Sequence, residues 1–161
     1  MAVDMFIKIG DISGESQDDK HAKEIDVLAW SWGLSQSGTA HVGGGAGAGK
    51  VNIQDLSLTK WVDTASTALI VACCKGTHIK EAKLVVRKAG DSPLEYIKIT
   101  MEEVIVSSVQ TGGSGGEDRL TENVVLNFGK VKVEYTAQKK EGGADATSTA
   151  AWDIPANKSF G

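Results

Sequence analysis

A mainly β fold, closed or nearly closed into a barrel with one amphipathic α-helix at its side, is what this sequence predicts, and three observations predict it. Apolar and polar residues alternate along most of the chain, which is the period of a half-buried strand. Only two Pro occur in 161 residues, so strands can pair along their full length. Two long alternating runs change phase midway, which needs a bulge or bend of the kind that turns strands at a barrel corner.

The elements follow in order. Val3, Met5, Ile7 and Ile9 alternate with Asp4, Phe6 and Lys8 and stop at Gly10, a strand followed by a polar loop. Residues 25–36 read as a second strand with Leu28, Trp30, Trp32 and Leu34 on one face and Val27, Ala29, Ser31 and Gly33 on the other. Large aromatics bury the most area, so the Trp face is expected in the core and the small face against solvent, a lumen or a close neighbour. Residues 37–49, SGTAHVGGGAGAG, hold too little apolar side chain to pack and too much glycine for a helix, and are expected as an extended loop. Val51, Ile53, Leu56 and Leu58 mark the next strand.

A helix is predicted over about 64–75. Asp63 or Thr64 can cap it, Ala65, Ala68, Leu69, Ala72 and Cys73 repeat at helical spacing, and Gly76 can end it. Strands return at 82–88, 94–109 and 122–137, with a short extended tail around Trp152–Pro155. The phase changes lie at Val104-Ile105-Val106 and across Gly129, after Leu126 and Phe128 and before Val131 and Val133. The absence of any fixed repeat predicts one domain over 1–161, with 138–161 its least patterned part.

Composition narrows the function. A net charge of −4 offers no positive field for phosphates, so nucleic acid is not expected as a partner. Two adjacent cysteines, Cys73 and Cys74, form no C-x-x-C pair and no disulfide framework, which suits a reducing compartment. The first ten residues lack the basic and apolar regions of a signal peptide, and no run approaches a membrane span, so no membrane insertion is expected.

No constellation demands catalysis, and neither cofactor nor metal is expected. Gly44-x-x-x-x-Gly49-Lys50 matches part of a phosphate-cradling loop, but Val51 stands where Ser or Thr would hold magnesium, and a strand follows instead of a helix. His21, His41 and His78 lack zinc-ligand spacing and read as surface or loop residues. Glu117, Asp118, Arg119 and Glu122 form the densest charged cluster. Beside Gly112–Gly116 they read as ion pairs within a loop or between subunits.

Four ordered stretches go further. MAVDMFIKIG (1–10), EIDVLAWSWG (24–33) with SQSG (35–38), GAGKV (47–51) and TGGSGGEDRLTEN (111–123) closely resemble the Hcp family, the tube proteins of bacterial type VI secretion systems. The resemblance runs from the first residue to about Tyr135 and is weakest after Ala137.

It implies a β-barrel of two sheets with a helix at its side, six copies closing into a hexameric ring, and rings stacking into an inner tube. The tube is built in the bacterial cytoplasm inside a contractile sheath and expelled behind a spike protein, without a signal peptide, and the lumen can carry small effector proteins. Carried onto this chain, Ser31 becomes a candidate for lumen and cargo contact. Gly43, Gly44, Gly45, Gly47 and Gly49 become candidates for ring stacking. Only about two dozen residues follow Ala137, which implies a plain subunit with no toxin extension. A monomeric β-barrel binding module and an enzyme built on the glycine loop or the Glu117–Glu122 cluster are the competing readings, and mass in solution separates the first from a ring.

Overall fold

The computed structural model describes residues 3–38, 49–89 and 93–161. Strand β1 (Val3–Ile9) turns Ile7 and Ile9 inward, both fully buried, as its alternation predicts. After segment 10–24 the chain returns antiparallel as β2 (Ile25–Ser31), with Ile25 opposite Ile7. A ribbon of β3 (Leu34–Ser35) and β4 (Asn52–Ile53) comes next, then β5 (Leu56–Trp61) and the helix α1 (Ala65–Lys75). Five strands follow: β6 (Ile79–Lys88), β7 (Glu95–Thr111), β8 (Thr121–Gln138), β9 (Ala144–Asp153) and the two-residue β10 (Lys158–Ser159).

Six strands close on themselves. Going round, β1 pairs with β2, β2 with β5, β5 with β8, β8 with β7, β7 with β6 and β6 again with β1, every pairing antiparallel. Closure removes the sheet edges that would otherwise stand open. β8 is long enough to serve two neighbours on one side: Thr121–Leu126 pair with β5, and Lys130–Gln138 pair with β9, which extends the sheet beyond the barrel. Inside lie Ile7, Ile25, Leu56, Leu84, Met101 and Leu126, all at 0% exposure. Each such side chain contributes roughly 1.5–3 kcal/mol relative to an exposed one.

The phase changes have two separate causes. Between Met101 and Val104 on β7, and between Phe128 and Val131 on β8, the inward set shifts on both strands at the same level. There Glu103 takes a left-handed φ of 56° and faces Gly129, where a β-carbon would sit 3.3 Å from that of Glu103. The two strands bend together, and Glu102 stays opposite Lys130 and Val104 opposite Phe128. The register itself slips by one residue farther along β7, between Val106 and Ser108.

The expected core face on residues 25–36 holds for Trp30 and Trp32 and is corrected for Leu28, Leu34 and Val27. The pairing of β2 with β5 slips between Val27 and Ala29, leaving Leu28 as an extra residue. Val27, assigned to the outer face, is therefore buried, and Leu28 is 38% exposed. Beyond the bulge Trp30 turns to the core, and Trp32 packs there too, its indole N–H donating to the Gln54 carbonyl at 2.9 Å. The strand ends at Ser31, so Leu34 sits on the separate ribbon at 57% exposure.

The helix matches its predicted span within one residue. Asp63 caps it, its carboxylate accepting from the Ala65 N–H at 2.9 Å, whereas Thr64 makes no side-chain cap. Gly76 ends it at φ 60°, and its N–H and that of Thr77 return to the last turn. Ala65, Ser66, Leu69 and Ala72 face the barrel, while Ala68, expected inward, is exposed. The buried stripe is rotated toward Ser66 because that hydroxyl is held inside by Glu122. The tail is more ordered than its composition suggests: β9 starts at Ala144, far ahead of Trp152, because β8 offers an unpaired edge to its backbone.

Candidate assembly face

The outer surface of β2, β5, β8 and the end of β7 is a wall of uncharged side chains. Two rows cross it in register. Ser31 faces Ser57, Ser57 faces Val125 and Val125 faces Ser108; Ala29 faces Thr59, Thr59 faces Asn123 and Asn123 faces Gln110. These side chains are uncharged and, apart from Gln110, small, and they lie opposite the large inward residues Trp30, Leu58, Val124 and Leu126 because successive residues of a strand point to opposite faces.

Hydrogen bonds flatten the wall further. The Thr59 hydroxyl donates to Asn123 Oδ1 at 2.7 Å. At its edge the Asp55 carboxylate accepts from the Ser107 hydroxyl at 3.0 Å and from Asn127 Nδ2 at 2.9 Å. Toward α1 the wall ends at a charged corner, where the Arg119 guanidinium sits 4.6 Å from the Trp61 ring. Burial pushes the Asp26 carboxyl above the usual aspartate range there, with Arg119 pulling in the opposite direction.

Ser31 is exposed at the end of β2, in this wall. Gly43, Gly44, Gly45 and Gly47 lie outside the described residues; Gly49 is exposed, close to Ser37 and Gln36. The charged cluster is divided. Glu117 and Asp118 are exposed and form no ion pair among the described residues, and Arg119 covers Trp61.

Glu122 leaves that group and turns into the barrel, 1% exposed, where its carboxylate accepts from Lys60 Nζ and from the Ser66 hydroxyl, both at 2.5 Å. Lys60, at 0% exposure, also donates to Asp63 at 2.9 Å and to the Trp61 carbonyl at 2.8 Å. Residue-type reasoning passed over Lys60, although it continues the inward series Leu56, Leu58, Lys60. A lysine in core phase directly opposite a glutamate is the signal that could have found the pair.

His78 is exposed and His41 lies outside the described residues; His21 lies on the loop before β2, as one half of its reading had it, but is buried at 7%, which corrects the surface half. Cys73 is half-buried against the core and Cys74 is exposed. Among the described residues no group of His, Cys, Asp and Glu is placed to hold a metal, and no helix is long and apolar enough to cross a membrane.

Such a barrel could belong to many proteins, and comparison with known ones decides between them. The profile of the type VI secretion system effector, Hcp, matches residues 6–135. The chain belongs to the Hcp family. It is 61% identical over 159 residues to Protein hcp1 of Pseudomonas aeruginosa, covering 98% of both chains. A solved type six secretion system protein superposes with a TM-score of 0.93 at 33% identity, over 99% of this chain and all of the other. Hcp1 from Salmonella typhimurium superposes at 0.82 with 45% identity, over the same shares. Hcp is a secreted structural protein of type VI secretion and not an enzyme family. The profile ends at Tyr135, where the resemblance read from the sequence also fades.

Proposed function

We propose that this Hcp chain is the repeating subunit of a type VI inner tube, six copies closing into a ring and rings stacking on one another. The observation that carries the reading, beside family membership, is the small, uncharged wall across β2, β5, β8 and β7. A surface of Ser, Thr, Ala and Asn, with one Val and one Gln, suits the lining of a channel, because it neither fixes cargo by charge nor fills the bore with large aromatic bulk. Ser31 lies in that lining and contacts small effector proteins. Ring closure is heterologous, one side of each subunit meeting the other side of the next. The glycine loop, with Gly43, Gly44, Gly45, Gly47 and Gly49, meets the next ring, and Glu117, Asp118 and Arg119 serve contacts between subunits. The tube assembles in the bacterial cytoplasm within a sheath, and sheath contraction expels it behind a spike.

Light scattering after size exclusion tests the first step. A particle near six times the 16.9 kDa of one chain is expected. A monomer at high concentration would overturn the ring and favour a binding module. Replacing 43–49 by a shorter linker is expected to spare single rings and weaken their stacking; loss of the ring itself would move that loop to the lateral interface.

A further inference from the structure

The segment between β1 and β2 carries chemistry that lies apart from the wall of β2, β5, β8 and β7 described above. It lies over the outer wall of β1 and β6, where Phe6 and Val85 are buried outside the barrel core. The His21 ring stacks on Phe6 with centroids 4.6 Å apart and planes 13° from parallel. Backbone bonds fold the segment on itself, Gly14 N–H to the Lys23 carbonyl at 2.7 Å and Ser16 N–H to the Glu24 carbonyl at 3.0 Å.

Both ring nitrogens of His21 meet carboxylates: Nδ1 lies 3.0 Å from Glu24 Oε2, and Nε2 lies 2.8 Å from Glu95 Oε2 on β7. An ionised carboxylate can only accept, and a neutral imidazole has only one N–H. Two good bonds to two carboxylates therefore require the imidazolium. We propose that His21 is a proton-controlled latch, which as an imidazolium ties segment 10–24 to the wall and on losing a proton lets go of one carboxylate and loosens the segment.

The surroundings hold the balance between the two states. Lys8 of β1 and Lys83 of β6 line a small cavity of about 170 Å³ beside the ring with Lys20 of the segment, and all three oppose a further positive charge. Glu24, Glu95 and Asp18 favour it, with Arg87 on β6 neutralising Asp18 and Lys98 of β7 lying 3.8 Å from Glu95. Burial alone would push the Glu95 carboxyl up. The His21 hydrogen bond and the charges of His21, Lys98 and Lys20 hold it below the usual glutamate range instead, as a carboxylate facing a donor should be.

Hydrogen exchange of the Gly14, Ser16 and Lys23 amides tests the latch on the assembled full-length protein, corrected for the intrinsic pH dependence of exchange. Between about pH 5.5 and about pH 8 their protection is expected to fall about tenfold, while β8 amides keep theirs. In Glu95→Gln the carboxamide can donate to a neutral Nε2 while Nδ1–H still serves Glu24, so protection should be kept at both pH values. Equal protection of the unaltered protein across that range would overturn the latch. So would a Glu95→Gln variant that loosens with pH as the unaltered protein does.

Discussion

Replacing Lys60 by Met tests the energetics of the barrel's helix end most sharply. Methionine keeps most of the length of the lysine stem but removes a charge that is wholly inside, bonded to Glu122, Asp63 and a backbone carbonyl. Glu122 would keep only the Ser66 hydroxyl, and its other oxygen is already buried without a partner. Breaking a buried pair by removing one member costs about 3–5 kcal/mol, because the remaining charge stays uncompensated. That is a large share of the roughly 5–15 kcal/mol that holds an ordinary domain together. Urea unfolding at fixed protomer concentration reads the loss, the concentration being held because assembly adds its own stability. The double variant Lys60→Met with Glu122→Leu removes both charges and should recover most of the loss. A single variant costing under about 1 kcal/mol would refute the reasoning, since Glu122 would then be neutral or hydrated in the folded chain.

The corrected facing of β2 predicts that Val27→Ala costs about 2 kcal/mol, while Leu28→Ala in the exposed bulge changes the unfolding free energy measured in urea by no more than about 0.5 kcal/mol; the reverse order would restore the simple alternation. Gly14→Ala puts a β-carbon 2.5 Å from the Glu24 carbonyl oxygen and 2.9 Å from the Ile25 Cα, neither of which can swing aside, so segment 10–24 should lift and become open to limited proteolysis with the barrel intact. Arg87 binds Asp18 through both of its terminal nitrogens and, chiefly by that hydrogen bond, holds the Asp18 carboxyl below the usual aspartate range. A depressed folded-state pKa gives stability that is present above the unfolded value and lost as pH falls through the folded one. The advantage of the unaltered protein over Asp18→Asn in urea should thus persist at pH 6 and vanish toward about pH 2. Ser31→Gln should leave the ring intact and impair cargo retention, measured by co-purification; unfolding of that variant would place Ser31 in a core.

Strand content, the helix and its ends, and the bends on the two long strands were legible because each depends on neighbouring residues alone. A period of two or of 3.6, a glycine able to adopt positive φ and an aspartate within reach of a helix start are all local properties. The four ordered motifs carried the family, since long ordered matches outlast the ambiguity of any short one. What the tertiary structure alone decided involves residues far apart in the chain. The bulge at Leu28 exists because β5 holds Lys60 opposite Val27 and Thr59 opposite Ala29, and no alternation within 25–36 reveals a slip against a partner. Ser148 and its neighbours form a strand because β8 presents an edge, despite having little apolar pattern of their own. Glu122 sits three residues from Arg119 yet on the other side of the wall, and His21 meets Glu95 across 74 positions. Sequence fixes which groups are available for such pairings, but burial and strand register determine which of them meet, because the strength of a charge or hydrogen bond depends on the water that the fold removes around it.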